Sequence, residues 1–365
     1  MVYFNVDDIE EDIISLSVKY PLISKVIELP NKSIEGRTIH AINIGEDKNN
    51  KSKKSILLTG GVHAREWGGS DICMYFAADL LEAYELNKGV RYGGQYFSAT
   101  EIKKIVNELN IIILPDVNPD GKAYSQSDPR KRLWRGNRNL KNPSCYGVDL
   151  NRNFDFVWDF TKYFAPNADV HTSDDPCDSS QTYKGTSPFS EPETMNVKWL
   201  LDEYSGIGHY IDIHCNGGSF LHSWGTDKNQ SSNPEMNFNN STFNNIRGIS
   251  EDKEYQEYIS KEDDQYIRDL GKVFHDSVKK SSSKDYEVKQ SYDLYPTSGC
   301  SDDYSYSRHF LNNTEKIYGF TIEFGKDVVG DFQPPWEEME KIVIEVSSGL
   351  MAFSYRVADN HVDVK

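Results

Sequence analysis

A short run with an apolar centre, cut off by two glycines, constrains this chain more than any other feature. Ser55-Ile56-Leu57-Leu58-Thr59 passes directly into Gly60-Gly61. A strand with no polar alternation is buried on both faces, and such strands belong to sheets covered by helices on either side. The paired glycines stop it abruptly. Further strand-like runs lie at 39–44, 111–114, 209–213, 220–223 and 318–322. Helical spacing marks 6–20 (Ile9, Ile13, Ile14, Leu16), 70–84, 191–203, 263–281 and 337–354. The alternation predicts an α/β fold: one mixed, mostly parallel sheet flanked by helices on both faces. No repeat and no long polar linker divides the chain, so 1–365 is expected to be a single domain. The Asn- and Ser-rich stretch 227–260, lacking apolar periodicity, is expected to be a surface insertion.

Composition narrows the possible partners. A hydrophobic fraction of 37% with 12% aromatics is enough for a core and argues against disorder. With 57 acidic against 40 basic residues the net charge is −17, which disfavours nucleic acid as a partner and would steer cationic peptides inward. The most apolar stretch, Ile111-Ile112-Ile113-Leu114, is far too short for a membrane span, and the acidic 6–12 segment is the opposite of a basic leader. The native chain is therefore expected to be cytosolic, or exported with its leader absent from this sequence. Cys73, Cys145, Cys177, Cys215 and Cys300 form no C-x-x-C pair, which excludes a cysteine zinc ribbon.

Two strand ends carry candidate metal ligands. His63-Ala64-Arg65-Glu66 follows the Gly-Gly stop, and His214 closes Tyr210-Ile211-Asp212-Ile213-His214. Both sites fall at the carboxyl edge of the expected sheet, where α/β proteins place their chemistry. Two imidazoles and one carboxylate leave a fourth zinc position open for water or a substrate carbonyl. Asp149 or Asp212 is a candidate to orient a liganding imidazole. Alone, H-x-x-E is a weak signal, since a loop His-Glu pair is more often a surface salt bridge. His40, His171, His209, His222, His275 and His309 lack such a setting and read as structural or solvent-facing.

Several ordered segments then resemble the carboxypeptidase A and B family of zinc exopeptidases. They are Gly61-Val62-His63-Ala64-Arg65-Glu66-Trp67, Asn118-Pro119-Asp120-Gly121, Trp134-Arg135, Gly147-Val148-Asp149-Leu150-Asn151-Arg152-Asn153-Phe154, Asp212-Ile213-His214, Leu294-Tyr295 with Ser298-Gly299, and Thr321-Ile322-Glu323. The match runs from about Tyr3 to Ala352. It implies an eight-stranded sheet and one Zn2+ per chain on His63, Glu66 and His214. It also implies Glu323 as general base and then acid, and Arg135 facing the scissile carbonyl. Asn151 and Arg152 would bind the substrate's terminal carboxylate, Tyr295 would close over the last residue, and Arg65 would contact the substrate backbone further out. Asp302 falls at the specificity position, where an acid implies preference for C-terminal Lys or Arg. Leu221 and Leu294 would line the same pocket, which leaves mixed basic and apolar specificity open.

The resemblance further implies peptide or protein C-termini as substrates, a monomer, and a Cys145–Cys177 disulfide. That disulfide favours a secreted or periplasmic location without excluding the cytoplasm. Relatives often carry an inhibitory pro-segment; none precedes Tyr3 in this sequence, so a catalytic domain alone is expected. Cys300 replaces a common glycine, Cys215-Asn216 stands where Ser-Tyr is frequent, and 227–260 is longer than usual. An amidohydrolase of cell-wall peptides or acylated amino acids is a competing reading, against which Arg152, Tyr295 and Asp302 weigh. A catalytically silent binding protein is another, against which Glu323 and Arg135 weigh.

Overall fold

The apolar runs become the interior of an eight-stranded mixed sheet in the computed structural model, which describes residues 3–141, 144–249, 254–312, 314–326 and 332–359. Its strands are β1 (Ser24–Glu28), β2 (His40–Ile44), β3 (Ser55–Gly60), β4 (Asn110–Leu114), β5 (Ile207–Cys215), β6 (Ser219–His222), β7 (Glu287–Gln290) and β8 (Tyr318–Phe324). Their spatial order is β1-β2-β4-β3-β5-β8-β6-β7. Strands β4, β3, β5 and β8 run parallel at the centre, and every residue of β3 and β4 is buried. This is the burial that a run without polar alternation requires.

Strand β8 shows how both faces are covered, because successive residues point to opposite sides. Phe320 packs edge-on against Phe353 of the Trp336–Asp359 helix, ring centroids 5.4 Å apart. Its neighbour Gly319 faces the Ser301–Asn312 helix so closely that a Cβ there would lie 2.0 Å from the Asp302 carbonyl oxygen. The Trp336–Asp359 helix also packs on Gly68–Glu85, Ala99–Glu108 and Lys261–Ser282. The first helix, Val6–Lys19, starts on a reciprocal cap: the Asn5 side chain accepts the Asp8 N–H, and the Asp8 carboxylate accepts the Asn5 N–H.

Within 227–260, a buried charged network accompanies the apolar contacts that Phe238 and Ile259 make with the core. The fully buried Arg247 donates from Nη1 to the Phe243 carbonyl at 2.9 Å and from Nη2 to the Asn237 carbonyl at 3.1 Å. Its guanidinium lies over the Tyr255 ring at 4.5 Å. Nearby, the buried Glu257 accepts the Phe238 N–H at 2.7 Å and the Tyr255 hydroxyl at 2.9 Å. A hydropathy pattern registers none of this network, because its central groups are charged.

Candidate active site

Parallel strands ending at one edge bring the chemistry together. The chain leaves β3 through Gly61, whose φ of +67° and whose closeness to Asp116 Oδ1, 2.6 Å from where a Cβ would sit, require glycine. Two residues later His63 reaches the same edge as His214, the next-to-last residue of β5. Glu323 on β8 is paired in register with His214. His63, Glu66 and His214 are all buried, with one potential ligand atom of each within 4.8 Å of the others.

The ring nitrogens show what this cluster is built to hold. His63 Nε2 lies 3.2 Å from Asp149 Oδ1, and His214 Nε2 lies 2.7 Å from Asp212 Oδ2. Each carboxylate accepts an N–H there, which leaves a lone pair on both Nδ1 atoms. Those two Nδ1 atoms are 3.0 Å apart; Glu66 Oε1 is 2.9 Å from His63 Nδ1 and Oε2 is 3.1 Å from His214 Nδ1. Three electron-rich donors at such separations repel one another unless a cation sits among them. The spacing is close to the ~3.3 Å edge of a tetrahedron with ~2.0–2.1 Å bonds, so the donor set fits Zn2+. Burial alone would depress the His214 pKa, but the carboxylates of Asp212 and Glu66 drive it well above the usual imidazole range. Against its own burial, Glu66 is held well below the usual carboxylate range by His63 and His214.

The supporting carboxylates are themselves fastened. Asp212 accepts from Thr59 Oγ1 at 2.8 Å and Ser301 Oγ at 3.0 Å. Asp149 accepts the Asn151 N–H at 3.0 Å through Oδ1, and Arg135 Nε and Nη2 through Oδ2, each at 2.9 Å. Burial would raise the Asp149 pKa, yet Arg135 and His63 keep it well below the ordinary carboxylate value. In Glu323 burial wins, and the carboxyl is pushed up to about 8.

A cleft of ≈ 310 Å³ joins these groups. It is lined by the triad together with Arg65, Arg135, Asn151, Arg152, Tyr295, Asp302 and Glu323, so the expected ligands, catalytic groups and substrate contacts border one space, while Asp149 and Asp212 lie behind the imidazoles they hold. Arg152 is nearly buried, held by Nε to the His171 carbonyl and Nη1 to the Asn151 carbonyl, both at 2.6 Å, and by Nη1 to Cys300 Sγ at 3.4 Å. Asn151 Oδ1 accepts the Ser301 N–H at 2.9 Å. Asp302 accepts the Asp303 N–H at 2.9 Å, Ser291 Oγ at 3.1 Å and Thr321 Oγ1 at 3.3 Å, with burial raising its pKa. Leu221, Leu294, Thr297 and Cys300 share its pocket. Further out, the Arg65 guanidinium stacks on Phe332 at 4.1 Å.

Sequence reasoning did not single out Phe332, Ser291, Thr297 or Ser301, which belong to no recognisable chemical motif; Ser301 is adjacent to Asp302 in the chain, and that adjacency is the one available signal. Cys145 and Cys177 are joined in a disulfide. Among the described residues, no helix is long and apolar enough to cross a membrane.

Known proteins resemble this arrangement. Carboxypeptidase B of Astacus astacus is 33% identical over 226 residues, 61% of this chain and 64% of that one. Carboxypeptidase O of Bos taurus is 29% identical over 297 residues, 79% of this chain and 64% of that one. The chain thus spans just under two thirds of the length of these two curated relatives. In three dimensions, thrombin activatable fibrinolysis inhibitor shares the fold with a TM-score of 0.74 at 21% identity, over 98% of this chain and 75% of that one. A family model described as zinc carboxypeptidase matches residues 9–347, and with nearly the whole chain matched, this protein belongs to the zinc carboxypeptidase family.

Proposed function

We propose that this chain hydrolyses the last peptide bond of peptides and proteins, with preference for a C-terminal Lys or Arg. The observation that carries the reading is a nearly buried guanidinium, Arg152, bordering the same cleft as the His63-Glu66-His214 triad. A guanidinium in that position suits a terminal carboxylate, which it meets through charge-assisted hydrogen bonds. A mid-chain peptide segment brings no charge to meet it, so internal cleavage is disfavoured.

His63, Glu66 and His214 would hold the zinc ion, which when bound polarises the scissile carbonyl and makes water more acidic. Glu323 takes the proton from the attacking water and passes it to the leaving amine. Burial raises its pKa, which suits a group that takes up a proton and then gives it away. Arg135, fixed by Asp149, faces the carbonyl oxygen and gains strength as negative charge grows there. Arg152 and Asn151 hold the substrate carboxylate, Tyr295 covers the terminal side chain, and Arg65 meets the backbone upstream. Asp302 is a buried carboxylate satisfied only by neutral donors among its hydrogen bonds, so an incoming Lys or Arg head supplies the charge it lacks. The Cys145–Cys177 bond supports action in an oxidising compartment.

The test is a panel of peptides identical but for the last residue, each with a free or an amidated C-terminus, with and without a chelator. Cleavage of free Lys and Arg ends, suppressed by amidation and by 1,10-phenanthroline and restored by Zn2+, is the expected result. Equal turnover of amidated peptides would sink the exopeptidase reading.

A further inference from the structure

We propose that His171 is a positioning residue for Tyr295, holding the tyrosine ring at the mouth of the cleft beside Arg152. The inference rests on the exopeptidase reading above for its kinetic consequence, while its structural basis is independent of it.

Three separate contacts meet on this one residue. The His171 imidazole lies flat on the Tyr295 ring, with centroids 4.0 Å apart and planes 7° from parallel. Its backbone N–H donates to the carbonyl of Pro296, the next residue after the tyrosine, at 3.0 Å. Its own carbonyl accepts Nε of Arg152 at 2.6 Å. The same seam continues at the following residue, where Ser298 Oγ donates to Thr172 Oγ1 at 3.1 Å. One residue therefore links the loop that carries Tyr295 to the guanidinium assigned to the substrate carboxylate.

The two backbone bonds are available to any residue but proline at position 171, so the choice of side chain needs its own reason. Histidine here is exposed, and burial does not explain it. The stack does. Tyr295 is only half-buried, and beyond the hydrogen bond its hydroxyl shares with Arg152 a ring on a loop still has rotamer freedom to lose. An aromatic partner lying parallel to it narrows that freedom before substrate arrives, and pre-ordering a binding group lowers the cost of binding. Partial desolvation of the ring, opposed by Asp169 and aided by Arg152 and Arg135, lowers the His171 pKa, so the ring stacks without adding a cation beside the arginine. His171 does not border the cleft, so it acts on Tyr295 and not on the reacting atoms.

The experiment uses the full chain loaded with Zn2+, with His171→Ala and His171→Phe compared on a peptide ending in Lys. The Ala variant is expected to raise KM about 3–10-fold with kcat within about twofold, the range that loss of one aromatic pair gives. The Phe variant, which keeps a flat ring, is expected to stay within about twofold of the parent on both. In a Tyr295→Ala background, His171→Ala should change KM no further. A second readout needs no turnover: nitration of Tyr295 by tetranitromethane, followed by peptide mass mapping, should be at least about threefold faster in the Ala variant and normal in the Phe variant. Unchanged KM and nitration in His171→Ala, failure of Phe to restore either, or an equal KM effect with and without Tyr295 each overturns the proposal. If the parent protein cleaves no peptide, the functional reading fails, and the nitration rates still decide whether His171 holds Tyr295.

Discussion

Glu323 stands directly across from His214, residue for residue, on neighbouring parallel strands. Sheet register therefore sets the relation between the proposed proton carrier and a proposed metal ligand, without help from any loop. Replacing Glu323 with Gln preserves the shape while removing the group that moves the proton. We expect kcat to fall by about 10²–10⁴-fold, with Zn2+ content and product affinity close to those of the parent. Metal analysis and product titration on the same preparation separate lost chemistry from a damaged site. A variant that kept substantial turnover would remove Glu323 from the mechanism.

In the proposed reading, Asp302 sets the preference for basic ends. An Asp302→Ile chain should lose about 10²-fold or more in kcat/KM on Lys and Arg ends and gain on Leu and Phe ends, since Leu221 and Leu294 already line the pocket. The ratio between the two substrate classes is the quantity to measure. A ratio unmoved by the change would mean that selectivity resides elsewhere.

Arg247 tests how the 227–260 segment is held. Truncation to Ala leaves the carbonyls of Phe243 and Asn237 and the carboxylate of Glu257 without their buried cation. Breaking a buried charge arrangement from one side typically costs about 3–5 kcal/mol. A clear fall in Tm and early proteolysis within 227–260 are the expected observations, and wild-type thermal stability in Arg247→Ala would contradict this account.

Asp116 gives a pH-dependent prediction. Burial raises its folded pKa to about 7 against an ordinary value of 3.8, with Lys122 only partly offsetting it. The folded protein thus binds this proton more tightly than the unfolded chain. The resulting stability is complete below about pH 4 and is lost as pH rises through about 7. Asp116→Asn removes that dependence, so relative to the parent it should be more favourable at pH 8 than at pH 5, by roughly 1–3 kcal/mol. Urea unfolding at the two pH values reads this directly; a constant difference would place the carboxylate in a more polar setting than its burial implies.

Legibility in the sequence followed burial. Strands β3 and β4, apolar on both faces, announce themselves, whereas the two edge strands β1 and β7 do not. Ser24-Lys25-Val26-Ile27-Glu28 and Glu287-Val288-Lys289-Gln290 face solvent at several positions, and their short mixed patterns resemble loops. The Ser301–Asn312 helix escapes a hydropathy reading for another reason. Its buried positions include Ser301, Asp302, Asp303, Ser305 and Ser307, and the Ser305 and Ser307 hydroxyls bond within the helix, Ser305 Oγ to the Ser301 carbonyl at 2.8 Å. The candidate ligands could be found because each ends a strand or follows one closely. His171 could not, because its contacts join two irregular loops far apart in the chain, and no periodicity connects a histidine in one to a tyrosine in the other.

Asp149 gives one oxygen to His63 and the other to Arg135. A single side chain thus anchors two pieces of machinery that the chemistry treats as separate. Truncating the side chain at 149 loosens both together, so one change joins two losses in a single kinetic effect.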